Sequence, residues 1–221
     1  MKLFDVIMIT LCVAVIGVIA IVLTMKFAPS HRKRKIIKGI CIGFVGILVL
    51  SVGGTVAVVN YIPTRLSTQY SNIPQHYTVT KPVGKALVIY QPAWTDCTKD
   101  AADALAKSLQ GKGYDTTVNY PGSFLPRNVS GYDVLVFGTP VYNSKGSPLV
   151  VDYIKSLGGF SGKKVILFTT GSTTPLEKDR AYDGIESSVK GMTEMQRIKF
   201  SNKTDREALA NTTVNKLCEN K

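Results

Sequence analysis

Three short stretches hold most of the side chains in this chain that could do chemistry. They are Pro92-Ala-Trp-Thr-Asp-Cys-Thr98, Gly138-Thr-Pro-Val-Tyr-Asn-Ser-Lys-Gly-Ser-Pro148 and Thr169-Thr-Gly-Ser-Thr-Thr-Pro175. All three are rich in hydroxyls and glycine and poor in carboxylates. That chemistry is one of binding. The first stretch runs straight into a helix-forming segment, whose free amides and positive dipole end suit a phosphate. Hydroxyls of Thr95 and Thr98 would add donors. The middle stretch offers Tyr142, against whose face a flat ring can lie. Acid–base catalysis has no comparable basis. The two histidines, His31 and His76, lie ahead of all three stretches. Neither a Ser/His/Asp constellation nor a metal-ligand set can be assembled from what remains.

Three residues in the first stretch carry competing readings. Asp96 is either a helix N-cap, bonding the next free amides, or a catalytic carboxylate, and the first reading is preferred. Cys97 at a helix N-terminus is either a redox-reactive thiol or a bystander, since no second cysteine or histidine lies near it. Trp94 either shields a bound ring or covers the loop. A disulfide between Cys97 and Cys218 is not expected. One opens the first helix at the ligand edge and the other ends the last helix at the opposite edge, beyond the ~7 Å that a disulfide spans.

The segments around these stretches supply a frame. Lys85-Ala-Leu-Val-Ile-Tyr-Gln91 is a short apolar run bounded by turn residues, the pattern of a strand buried on both faces. Lys99 to Gln110 has Ala102, Leu105, Ala106 and Leu109 at helical spacing and is closed by Gly111 and Gly113. Further strands are expected at Asp115 to Tyr120, Asp133 to Gly138, Lys164 to Thr169 and Glu194 to Phe200. Helices are expected at Leu149 to Leu157, Asp179 to Lys190 and Asp205 to Cys218. Pro121 to Tyr132, with two prolines, allows one helical turn at best. Strands alternating with helices imply a parallel sheet covered on both faces, with right-handed crossovers. Ligands of such sheets bind beyond the carboxyl ends of the strands, where the three stretches all fall.

The N-terminal part is of another kind. Val6 to Thr24 and Gly39 to Tyr61 carry no charge, and each is long enough to cross ~30 Å of hydrocarbon as a helix. Between them lie Lys26, Arg32, Lys33, Arg34, Lys35 and Lys38. Short basic loops stay cytoplasmic, so both the N-terminus and the C-terminal domain are expected outside, on a multi-pass protein of the cell membrane. A cleaved signal peptide is disfavoured, since no small-x-small site follows Thr24. Gly39-x-x-x-Gly43 would let helices of the hairpin approach closely. The expected organisation is two transmembrane helices with a basic loop over residues 1–62, a linker over 63–84 and an α/β domain over 85–221. Much of the net charge of +12 belongs to the membrane segment; from Lys81 onward 19 basic and 14 acidic side chains leave only +5. No basic run interleaved with aromatics occurs, so membrane lipid is an expected partner and nucleic acid is not. Asn128-Val-Ser130, Asn202-Lys-Thr204 and Asn211-Thr-Thr213 are potential glycosylation acceptors, in keeping with an external domain. Oligomeric state leaves no trace in the sequence.

From about Lys85 to the C-terminus the chain resembles the flavodoxin family. Tyr90-Gln-Pro-Ala-Trp-Thr-Asp-Cys-Thr98 is similar to that family's phosphate loop, a strand followed by Thr-Gly-Asn-Thr. Phe137-Gly-Thr-Pro-Val-Tyr-Asn143 is similar to its second flavin loop, and Phe168-Thr-Thr-Gly171 to its third. The resemblance implies a doubly wound, parallel five-stranded sheet of order 2-1-3-4-5 that carries FMN. It places the phosphate at Thr95, Asp96, Cys97 and Thr98, and the isoalloxazine between Thr139, Pro140, Val141, Tyr142 and Asn143 on one side and Thr170 and Gly171 on the other, with Trp94 alongside. The sequence departs from the pattern at Asp96, where the family has Gly, and at Cys97, where it has Asn. A carboxylate about 4 Å from a phosphate costs on the order of 1 kcal/mol in water and several when partly buried. Two functions follow. One is a membrane-tethered FMN electron carrier or quinone-linked oxidoreductase, with a redox protein or a quinone as partner. The other is a cofactor-free binding or scaffold module on the same fold.

Overall fold

The computed structural model describes residues 17, 19, 39, 42–54, 57, 66–142, 144–157, 160–171, 180–185, 189 and 191–219. The chain divides into two compact units, Met1–Pro63 and Thr64–Lys221.

In the first unit residues 42–54 are helical and apolar on all sides. Ile42 and Leu50 are 75% and 77% exposed, and Val45, Ile47 and Val49 are exposed as well. Among the described residues no helix is long and apolar enough to cross a membrane. The expected first span, apart from Gly17 and Ile19, and the basic loop lie outside the described residues. Close approach falls elsewhere than at the Gly39-x-x-x-Gly43 motif. No described atom lies within 4 Å of where a Cβ on Gly39 or Gly43 would be, whereas a Cβ on Gly17 would run into the Phe44 ring.

The second unit is a sheet with helices on both faces. Its strands are β1 (Gln75–Tyr77), β2 (Gly84–Tyr90), β3 (Tyr114–Asn119), β4 (Val134–Pro140), β5 (Lys164–Thr170) and β6 (Glu194–Phe200). Its helices are α1 (Cys97–Gly111), α2 (Pro148–Ser156) and α3 (Arg206–Glu219). The sheet runs β1-β3-β2-β4-β5-β6. This corrects the expected five-stranded, wholly parallel sheet: there are six strands, the sheet is mixed, and β1 pairs antiparallel to β3 at one edge. β1 comes out of the stretch expected to be a linker, and its short polar run gives no apolar alternation to read. The remaining strands pair in parallel.

Alternation along the strands builds two cores. Ala86, Val88 and Tyr90 of β2, Val134 and Val136 of β4, and Ile166 and Phe168 of β5 point to one face, under α1 and α3. Leu87, Ile89, Leu135, Phe137, Val165 and Leu167 point to the other, under α2 and the loops carrying Leu125, Phe160 and Tyr182. A strand buried on both sides reads as a continuous apolar run, which is why β2, β4 and β5 stand out in the sequence. Residues 181–184 form a turn and not part of the expected helix, and Gly184 with φ +80° is incompatible with helix continuation.

Candidate functional site at the carboxyl edge of the sheet

The first loop leaves β2 and is tied at once to its neighbour: Gln91 N donates to the Gly138 carbonyl at 3.0 Å. α1 then begins at Cys97. Asp96 takes the N-cap position, but the expected capping bond is not made; its carboxylate is exposed and bonds none of the following amides. Its carbonyl accepts the Asp100 N–H at 2.7 Å, the first bond of the helix. The amides of Cys97, Thr98 and Lys99 have no acceptor inside α1, as at any helix start, and form the donor end of the site.

Three expected ligand hydroxyls have other work. Thr98 Oγ1 lies 2.6 Å from Thr170 Oγ1, both buried, which pins the first turn of α1 to the end of β5. Thr139 Oγ1 accepts the Ser147 N–H at 2.7 Å and bonds the Pro140 carbonyl at 3.1 Å, fixing the start of the second loop to the start of α2. Pro140 is buried with them. Gly138 is required by packing, since a Cβ there would fall inside the Phe168 ring.

The remaining candidates face outward. Trp94 is 61% exposed, Thr95 and Asp96 are exposed, and Cys97, Val141, Tyr142 and Gly171 are half-buried. The first and second loops meet where Trp94 N–H donates to the Tyr142 hydroxyl at 3.2 Å. Tyr142 is held in turn by two backbone bonds of 3.0 Å exchanged with Lys145, around a turn in which Ser144 takes φ +63°. The third loop joins the second through Val141 N–H to the Thr170 carbonyl at 2.9 Å. A Cβ on Gly171 would meet only ordinary contacts, the Val141 carbonyl at 3.4 Å and its Cβ at 3.8 Å, so the space between these loops is open. Asn143 and residues 172–179 lie outside the described residues. The structure thus brings Trp94, Thr95, Asp96, Cys97, Val141, Tyr142 and Gly171 to one edge, with Thr98, Thr139, Pro140 and Thr170 buried beneath them as supports.

Arg206 completes this edge and has no counterpart in the sequence reading. It opens α3, which lies beside α1 on the same face, so the two helix N-termini sit together. Its Nη2 donates to Cys97 Sγ at 3.5 Å and its Nη1 lies 3.8 Å from Asp100 Oδ2. The Cys97 sulfur as acceptor, with the charge of Asp100, raises the guanidinium's pKa against the opposing effect of burial. The order of strand and helix places every helix N-terminus after a strand at this edge, so the position of Arg206 was legible once α3 was read as the closing helix.

The segment before β1 also lies along this edge. Leu66 is buried, and its carbonyl accepts the Ser147 hydroxyl at 2.6 Å. The Thr68 carbonyl accepts Gln91 Nε2 at 3.1 Å, and Asn119 Nδ2 donates to Asn72 Oδ1 at 2.8 Å. Tyr70, Tyr120 and Tyr90 pack in a row with ring centroids 5.3 Å apart, the first pair tilted and the second edge to face. Residues expected to be a plain linker therefore brace the ends of β2 and β3.

No protein-family model matches the chain. Solved structures do match it. A flavodoxin of Streptococcus pneumoniae TIGR4 superposes with a TM-score of 0.50 at 18% identity, over 62% of this chain and 99% of that one. Flavodoxin 2 of Bacillus cereus gives 0.49 at 17% identity, over 62% and 99%. At such identity the likeness is one of fold. The chain has a flavodoxin-like α/β fold, built on a mixed sheet of six strands.

Proposed function

We propose that this chain is a membrane-tethered flavodoxin-like protein that binds FMN at the carboxyl edge of its sheet for electron transfer at the membrane surface. The observation that carries the reading is the meeting of three loops and two helix N-termini at that edge, with outward-facing aromatics on one side and a guanidinium on the other. The residues fit the cofactor. The amides of Cys97, Thr98 and Lys99, with Thr95, would hold the phosphate. Arg206 beside Cys97 supplies positive charge that offsets the carboxylate of Asp96. Tyr142 and Trp94 would lie against the ring, and Gly171 leaves room for its edge. FMN, when bound, supplies a ring that takes up and gives back electrons.

The tether is supported by the uncharged runs of the first unit and by the apolar exposure of residues 42–54, a surface that lipid would cover. Six basic residues between the spans favour a cytoplasmic loop and an extracytoplasmic domain. The electron partner is then a membrane quinone or a redox protein at the surface.

A second reading is a cofactor-free binding module on the same fold. It is favoured by the exposed Asp96 carboxylate at the phosphate position and by the engagement of the Thr98 hydroxyl with Thr170. Titrating FMN and riboflavin into the full chain in detergent separates the two. The FMN reading expects saturable fluorescence quenching, with FMN binding tighter than riboflavin because the helix ends hold its phosphate. No saturation by about 50 µM would put any FMN affinity weaker than about −6 kcal/mol and favour the cofactor-free module.

A further inference from the structure

A second site lies at the opposite, amino edge of the sheet. A cleft of about 660 Å³ opens there between the loop leading into β4, the end of α2 and the loop leading into β5. Its volume is within the roughly 300–1,000 Å³ of small-molecule sites. Lys163 forms part of the wall and is 9% exposed. Its Nζ donates to the carbonyls of Tyr132 at 2.5 Å and Ser130 at 3.3 Å, two neutral acceptors that leave the charge unmatched. Arg127 on the same wall is exposed, and among the described residues neither cation forms an ion pair. None of the described lining residues carries a carboxylate. Burying an ammonium without a counter-charge costs free energy, and an anion in the cleft would offset that cost.

The loop that carries Arg127 and Ser130 is held in place. Asn128 Oδ1 accepts the Ser130 N–H at 2.9 Å, which locks the loop into a turn, and the Tyr153 hydroxyl anchors it through the Pro126 carbonyl at 2.9 Å. Ser130 and Ser161 bring hydroxyls from two sides of the cleft, while that of Ser156 is engaged with the Tyr153 carbonyl at 2.8 Å. Potential donors on three separate segments of the wall suit an anion whose oxygens point in several directions. A carboxylate offers only two oxygens in one plane.

We propose that this cleft binds the phosphate group of a small phosphorylated molecule, with Arg127, Lys163 and the hydroxyls of Ser130 and Ser161 as its donors. The site is separate from the flavin edge and stands or falls independently of it. The test is calorimetric titration of the full chain with inorganic phosphate, glycerol phosphate and acetate at matched ionic strength. The expected result is saturable binding of both phosphates, with acetate about tenfold weaker. Arg127→Ala, an exposed change that leaves the fold intact, weakens both phosphates roughly tenfold and leaves FMN quenching unchanged. Phosphate bound no more tightly than acetate, or bound equally by the Arg127→Ala chain, overturns the proposal.

Discussion

Asp96→Asn should tighten FMN binding, and the size of the gain follows from the site. The carboxylate is exposed at the start of α1 and makes no capping bond, so its removal costs the fold little beyond a favourable term with the helix dipole, at most about 0.5 kcal/mol. A phosphate held on the amides of Cys97 to Lys99 would lie within about one helical turn of it, roughly 5 Å. With an effective dielectric of about 60 for so exposed a pair, each pair of unit charges repels by about 1.1 kcal/mol, and a near-dianionic phosphate by about 2. At roughly 0.15 M salt the screening length is ~8 Å and halves this, to a gain of about fivefold in affinity; at ~0.01 M the screening length is ~30 Å and the gain approaches ~25-fold. The assay is flavin fluorescence quenching by wild-type and Asp96→Asn chains at both salt concentrations. An unchanged or weaker affinity, or a gain that does not depend on salt, would refute the placement of the phosphate beside Asp96.

Other consequences concern the supports of the site and its edge strand. Gly138→Ala, which drives a methyl into the Phe168 ring, should destabilise the fold by about 2 kcal/mol in urea unfolding; a neutral change would remove the packing requirement. Thr98→Val and Thr170→Val should each cost about 1–2 kcal/mol and the double variant little more than either alone, since each single change orphans the partner hydroxyl. Strictly additive losses would mean that the two hydroxyls do not act as a pair. Burial, then the nearby Asp103 carboxylate, pushes the Tyr77 hydroxyl up to about 12, so the folded state favours its neutral form. That contribution is fully present below about pH 10 and is lost as pH rises toward 12. Urea midpoints measured over this window should fall less steeply for Tyr77→Phe, and an identical slope would count against the burial of this hydroxyl.

The parts of the fold legible in the sequence are those where burial leaves a pattern. β6 was expected at Glu194 to Phe200 and is found there; β4 and β5 keep their starts within a residue, because fully buried strands are written as unbroken apolar runs. α1 begins two residues earlier than its apolar spacing shows, because Cys97 and Thr98 serve its first turn without adding to the stripe. β1 left no signal: Gln75-His76-Tyr77 is polar and mostly exposed, and only its pairing to β3 makes it a strand. At the site, the loops were legible as clusters of hydroxyls and glycine, but the direction of each hydroxyl was not. Thr98, Thr139 and Thr170 bond neighbours brought close by the fold, the first and last of them 72 residues apart. A Thr139→Asp change would therefore report on folding and not on flavin contact.

Hydrogen–deuterium exchange of the full chain, with and without saturating FMN, decides whether the carboxyl edge is a flavin site. Exchange is expected to slow in residues 94–99 and 139–142, where amides and loop backbones close on the cofactor. Protection confined to any other surface, or none at a concentration that quenches the flavin, would contradict that assignment.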